Sequence, residues 1–190
     1  MSSTEASVGP TGGPVLLGVA RAAVEHGVRT GRPLDVEPGD YDPPLRLRRA
    51  SFVTLRLDGA LRGCTGSLEA SQPLVVDVAR SAHRSAFGDP RFPPVEAREL
   101  SRLALHVSVL SILEPLPASS EAELLARLRP GIDGLVLSEG ALTSTFLPSV
   151  WESLPSPDRF LAELKRKAGL PLDHWSPTLR FQRYTVEEFE

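Results

Sequence analysis

The stretch from Phe52 to Glu69, FVTLRLDGALRGCTGSLE, constrains the fold more than any other part of the chain. Val53, Leu55 and Leu57 alternate with Thr54 and Arg56, which is the period of a half-buried strand. Asp58-Gly59 supplies a two-residue hairpin turn, and ALRGCTGSLE returns as the partner strand. With a two-residue turn, this pairing sets Val53 opposite Cys64 and Leu55 opposite Arg62, so both motif side chains are expected on the apolar side. From Pro73 the period changes to helical through Leu74, Val75, Val78, Ala79, Ala82 and Ala86, and Gly88 and Pro90 close it. A hairpin running into an amphipathic helix is the start of an α+β fold rather than a regular βαβ alternation.

The remaining segments extend this pattern. Residues 1–13 are rich in Ser, Thr and Gly with almost no large apolar side chains, so they read as a disordered tail ahead of a domain spanning 14–190. From Pro14, the residues Leu16, Leu17, Ala20, Val24 and Val28 recur at helical spacing. A Pro-rich acidic loop, RPLDVEPGDYDPPL, occupies 32–45. LALHVSVLSI from Leu103 reads as a strand, and SSEAELLARL over 119–128 as a short capped helix. A second hairpin follows, with GLVL and ALTSTFL around Glu139-Gly140, then a helix over 157–168 and a final strand from Thr178 to Phe189. DGAL at 58–61 and EGAL at 139–142 sit in matching places, a weak sign of duplication. A chain of 190 residues suits one domain or two closely packed subdomains, each with a β-hairpin and helices.

Composition removes several function classes. No window approaches the roughly 18 apolar residues of a membrane span, and the N-terminus has neither a basic start nor an apolar stretch. The single cysteine, Cys64, cannot form an internal disulfide, which fits the reducing cytoplasm. With 21 basic and 24 acidic residues there is no global field to gather nucleic acid or anionic lipid. The one basic cluster, Arg46, Arg48 and Arg49 with Arg56, has few aromatic neighbours for base stacking. Dinucleotide and P-loop fingerprints are missing, as are HExxH, paired-cysteine and EF-hand spacings, so neither cofactor nor metal is expected. Of the cations only Lys165 and Lys167 are lysines, which leaves few candidates for Schiff-base chemistry. The C-terminal aromatics, from Phe146 to Phe189, read as core.

Chemistry concentrates at LRGCTG, residues 61–66. In one reading Cys64 is a nucleophile activated by Arg62, Gly63 and Gly66 admit substrate, and His83 or His106 is the base. In the other, Cys64 is a small buried hydrophobe and the glycines permit a helix to pack closely. The second candidate is SAFGDPRFPP, 85–94, where Asp89 and Arg91 flank a proline. Arg91 suits a substrate carboxylate or phosphate, and an Asp-to-Arg pair suits a rigid loop.

At LRGCTG the chain resembles the AMMECR domain family, the component called protein A of the AmmeMemoRadiSam system. The resemblance continues in order through FVTLRLDGALRGCTGSLEA, SAFGDPRFPP, Glu99-Leu100, VSVLSILEPL, GLVLSEGALTSTFLPSVWESLP, FLAELKRKAGL and Trp175. It implies two α+β subdomains with a cleft between them and the LRGC motif at or near it. It also implies action beside a MEMO-like protein, related to extradiol dioxygenases, and a radical SAM protein in modifying an unknown biomolecule. Substrate would then meet Arg62, Gly63, Cys64, Gly66, Asp89 and Arg91. Members usually carry Ile where this chain has Thr65. Two alternatives stand beside it: a self-sufficient cysteine-dependent transferase or hydrolase, and an RNA-binding module.

Overall fold

The computed structural model describes residues 7–190. The chain divides into two compact units, one running up to Ser111 and including Glu187–Glu190, the other Ile112–Val186. Each holds a four-stranded sheet, as an α+β chain should.

In the first unit, β1 (Ser51–Leu57) and β2 (Ala60–Gly66) form the expected hairpin, and β3 (Leu103–Leu110) pairs with β1 on its other side. Asp58 and Gly59 both have positive φ, the backbone a two-residue turn of matching twist requires. Two helices lie on one face of this sheet: α1 (Gly9–Thr30), and α3 (Leu74–Phe87), which follows the short α2 (Pro43–Arg46). Leu16, Ala20, Ala23 and Val24 of α1, and Val75, Val78, Ala82 and Ala86 of α3, are buried with Val53, Leu55, Val107 and Val109 of the sheet.

Helix α1 begins at Gly9, five residues before Pro14, so the tail expected over 1–13 is not one between residues 7 and 13. The physical reason is long-range. Val8 is buried in the first core, its N–H donates to Glu187 Oε2 at 3.1 Å, and Gly13 fits under the Phe189 ring. Residues 1–6 lie outside the described part.

In the second unit, β5 (Gly134–Glu139) and β6 (Leu142–Phe146) make the second hairpin, and β7 (Arg180–Tyr184) lies beside β5. A two-residue strand, β4 (Glu114–Pro115), completes that sheet beyond β7. Helices α4 (Glu121–Arg127) and α5 (Pro157–Lys167) fall where helical patterning places them, and the Ser120 hydroxyl caps α4 by accepting from Glu123 N–H. Trp151 stacks on Phe160 with ring centroids 3.8 Å apart, and its indole N–H donates to Asp133 O.

The single final strand expected from Thr178 to Phe189 is two strands in two sheets. β7 ends at Tyr184, and β8 (Val186–Phe189) joins the first sheet beside β3. The orders are β2-β1-β3-β8 and β6-β5-β7-β4, so both sheets place the hairpin's first strand inside, next to the following long strand. The DGAL and EGAL turns therefore occupy corresponding places.

Candidate functional site

β2 is an edge strand, and an edge strand leaves outward N–H and C=O groups that need partners. At Cys64 the GDPRF segment provides them. Cys64 N–H donates to Asp89 Oδ2 at 2.9 Å, and Arg91 Nη2 donates to Cys64 O at 3.3 Å. The two side chains are themselves joined: Arg91 Nη2 and Nε donate to Asp89 at 2.7 and 2.9 Å, and Arg91 N–H donates at 3.1 Å. Asp89 is buried, yet the Arg91 guanidinium holds its carboxyl well below the usual carboxylate range. The Arg91 side chain remains about half exposed, 54%, so a guanidinium face is open beside the thiol's strand.

The register of the hairpin differs from the expected one. Leu57 pairs with Ala60 and Arg56 with Leu61, but Leu55 pairs with Gly63 and Thr54 with Cys64. Arg62 is the extra residue of a β-bulge. One added residue reverses the facing of everything beyond it, so Cys64 shares the face of Thr54, away from α1 and α3. The buried-hydrophobe reading loses its basis: Cys64 is partly exposed, and the Thr54 hydroxyl donates to its Sγ at 3.2 Å.

Arg62 takes a different task from thiol activation or anion binding. Its Nε and Nη2 donate to the two Glu99 oxygens at 2.7 and 3.1 Å, and its Nη1 and Nη2 donate to the carbonyls of Pro93 and Pro94 at 2.8 and 3.2 Å. Both side chains are nearly buried, at 10% and 12% exposure, and the guanidinium holds Glu99 below its ordinary value. Arg62 thus latches the segment that follows GDPRF.

Gly63 and Gly66 serve packing. A Cβ on Gly63 would lie 2.1 Å from Ser85 O on α3, and one on Gly66 would meet Ser51 O and the Phe52 ring. The Thr65 hydroxyl, where the family usually has Ile, is accommodated by Ser81 O and the Ser85 hydroxyl. Ser85 also accepts from Thr65 N–H and donates to Val53 O, tying α3 to both hairpin strands.

The histidines separate. His83 lies on α3, which packs on the opposite face of the sheet from Cys64. His106 faces the same side as Cys64, directly across from Thr54, so it is two strands from the thiol, roughly 10 Å. Its Nε2 lies 2.8 Å from Glu190 Oε2. The outer face therefore carries Cys64, Thr54, His106 and Glu190 in a row. Sequence reasoning gave Thr54, Ser85 and Glu99 no role of their own, although Ser85 and Glu99 lie in segments that carry the family resemblance. Only Glu99 had a signal, the capping-box spacing from Glu96.

The basic cluster does not form one open patch. Arg46 donates to the carbonyls of Tyr41 and Gly39, and Arg49 is buried against Leu110 O and Glu187. Lys165 is buried and paired with Glu121 at 2.5 Å. Among the described residues, no cluster of three or more His, Cys, Asp or Glu could hold a metal, and no helix is long and apolar enough to cross a membrane.

A family model described as AMMECR1 matches residues 17–189. The chain belongs to the AMMECR1 family. A relative from Methanothermobacter thermautotrophicus is 38% identical over 93% of each chain, and Protein PF1979 of Pyrococcus furiosus is 36% identical over 94% of this chain and 87% of its own. The crystal structure of the uncharacterized protein PH0010 from Pyrococcus horikoshii superposes with a TM-score of 0.85 at 35% identity, covering 93% of this chain and 89% of that one. The AMMECR1 match thus extends across both sheets rather than only the LRGCTG hairpin.

Proposed function

We propose that this AMMECR1-family chain acts with a MEMO-like and a radical SAM protein in modifying a biomolecule, and that it presents the Cys64 face of the first sheet to the substrate. The partners are what membership of the family implies, and the observation that carries the choice of face is the Asp89 and Arg91 clamp on the Cys64 main chain. It fixes a partly exposed thiol on the face away from the helices and sets an open guanidinium beside it. Arg62, Gly63 and Gly66 serve the site by holding the strand and its neighbours in place. Asp89 does so through the backbone, which leaves Cys64 and Arg91 as the groups that touch substrate. Affinity purification of this chain under reducing conditions, coexpressed with the MEMO-like and radical SAM proteins of the same source, should retain both. If neither is retained with or without cell extract, the shared-assembly reading fails.

A second reading, Cys64 as the nucleophile of a self-sufficient acyl or alkyl transferase, is favoured by the row of Thr54, His106 and Glu190 on the same face. His106, and not His83, is its base, reaching the thiol through Thr54 or a bridging water. Iodoacetamide should then modify the native protein at a rate within about tenfold of the unfolded chain, as an accessible thiol requires. A thiol inert until unfolding removes this mechanism.

A further inference from the structure

A cavity lies on the other side of the first sheet from Cys64, where the segment 33–36 crosses beside α3 and the Ser67–Gln72 stretch. Its volume is about 710 Å³, within the range of small-molecule sites. Helical spacing sets Val76, Arg80, His83 and Arg84 on one face of α3, and all four line the cavity. Leu34 contributes apolar wall from the Pro-rich loop.

Two features distinguish this face from an ordinary solvated one. His83 Nε2 is buried and has no hydrogen-bond partner, a condition that costs about 1–3 kcal/mol and is uncommon in folded proteins. Burial also lowers the His83 pKa, with a smaller push from His26, so its imidazole is neutral at pH 7 and reports on charge that arrives in the cavity. Beside it, among the described residues, neither Arg80 nor Arg84 has a carboxylate within ion-pair distance. Arg84 donates only to the Ser81 hydroxyl. The acids lining the cavity are Asp77, whose Oδ2 is taken by the N–H and hydroxyl of Ser51, and Asp35 on the facing loop.

We propose that this cavity binds a small organic anion with an apolar body. Its charged end pairs with Arg80 and Arg84, and its apolar part lies against Leu34 and Val76, beside the His83 ring. Asp35 opposite disfavours a second negative charge at the far end, so the class is a phosphate or carboxylate charged at one end. This site is independent of the Cys64 face and does not rest on the partners proposed for it.

Phenyl phosphate tests it. Titrated into the full chain and followed by the imidazole resonances, it should shift the His83 signal saturably with half-saturation below about 10 mM, the weak end of specific binding. Phenol, which lacks the charge, should not. The variant Arg80→Gln/Arg84→Gln changes only exposed side chains, so it should fold normally and weaken binding by at least about tenfold, as the loss of charge-assisted hydrogen bonds requires. The absence of a saturable shift, or equal affinity in the double arginine variant, overturns the proposal.

Discussion

Replacing Arg62 with methionine should destabilise the protein by about 3–5 kcal/mol, the cost of breaking a buried ion pair from one side. Methionine preserves much of the arginine stem's volume, so the loss comes from the polar partners. Glu99 would be left as a carboxylate only 12% exposed, and the Pro93 and Pro94 carbonyls would lose their donors. The double variant Arg62→Met/Glu99→Gln removes the stranded charge and should recover a substantial part of the loss, which urea unfolding of both variants measures. The pH dependence follows from the direction of the Glu99 shift. Arg62 lowers the folded-state pKa of Glu99, so the pair stabilises fully above the unfolded carboxylate value of about 4.3, and the contribution is lost as pH falls below it. The gap between wild type and Arg62→Met should therefore be widest near neutrality and narrow on acidification. A loss under about 1 kcal/mol, constant with pH, would mean that Arg62 is not the latch its four hydrogen bonds indicate.

Arg62 also marks where sequence reasoning reached its limit. Alternation and the Asp58-Gly59 turn were enough to place the hairpin, and 3.6 periodicity with Gly88 behind it was enough to place α3. The pairing register was not legible, because the glycine beside the bulge, Gly63, signals close backbone approach as well as a bulge, and only the pairing itself shows the extra residue. That single residue decides whether Cys64 belongs to the core or to the open face. The association of Asp89 and Arg91 with each other was legible from their spacing around Pro90. Their attachment to Cys64 was not, since it joins an edge strand to a loop 25 residues later. The final strand misled for a related reason. RFQRYTVEEF carries no glycine or proline at Thr185, and the break there comes from pairing with two different sheets. Likewise the early start of α1 depends on Glu187 and Phe189, which no window around Gly9 contains.

Gly63→Ala should cost about 3 kcal/mol, at the upper end of what a single added methyl causes in a packed interior. The position has an ordinary extended backbone, so strain in φ is not the cause. The added Cβ would stand 2.1 Å from Ser85 O and 3.0 Å from its carbonyl carbon, and both belong to the main chain of α3. A flexible neighbour would rotate away, but here the helix itself must retreat from the sheet. That movement stretches the bonds Ser85 makes to Val53 O, Thr65 N–H and the Thr65 hydroxyl, which are the polar ties between α3 and the hairpin. Removing the Ser85 side chain does not relieve the clash, so Gly63→Ala/Ser85→Ala should be no more stable than Gly63→Ala alone. Rescue by Ser85→Ala would show that side-chain crowding, and not backbone approach, makes Gly63 necessary. Because β2 carries Cys64 one residue later, the same retreat should loosen the Asp89 contact to Cys64 N–H and raise the rate of thiol alkylation in the folded variant above that of the wild type. Two readouts thus separate the consequences: the unfolding midpoint reports the helix against the sheet, and the alkylation rate reports the clamp on the thiol's strand.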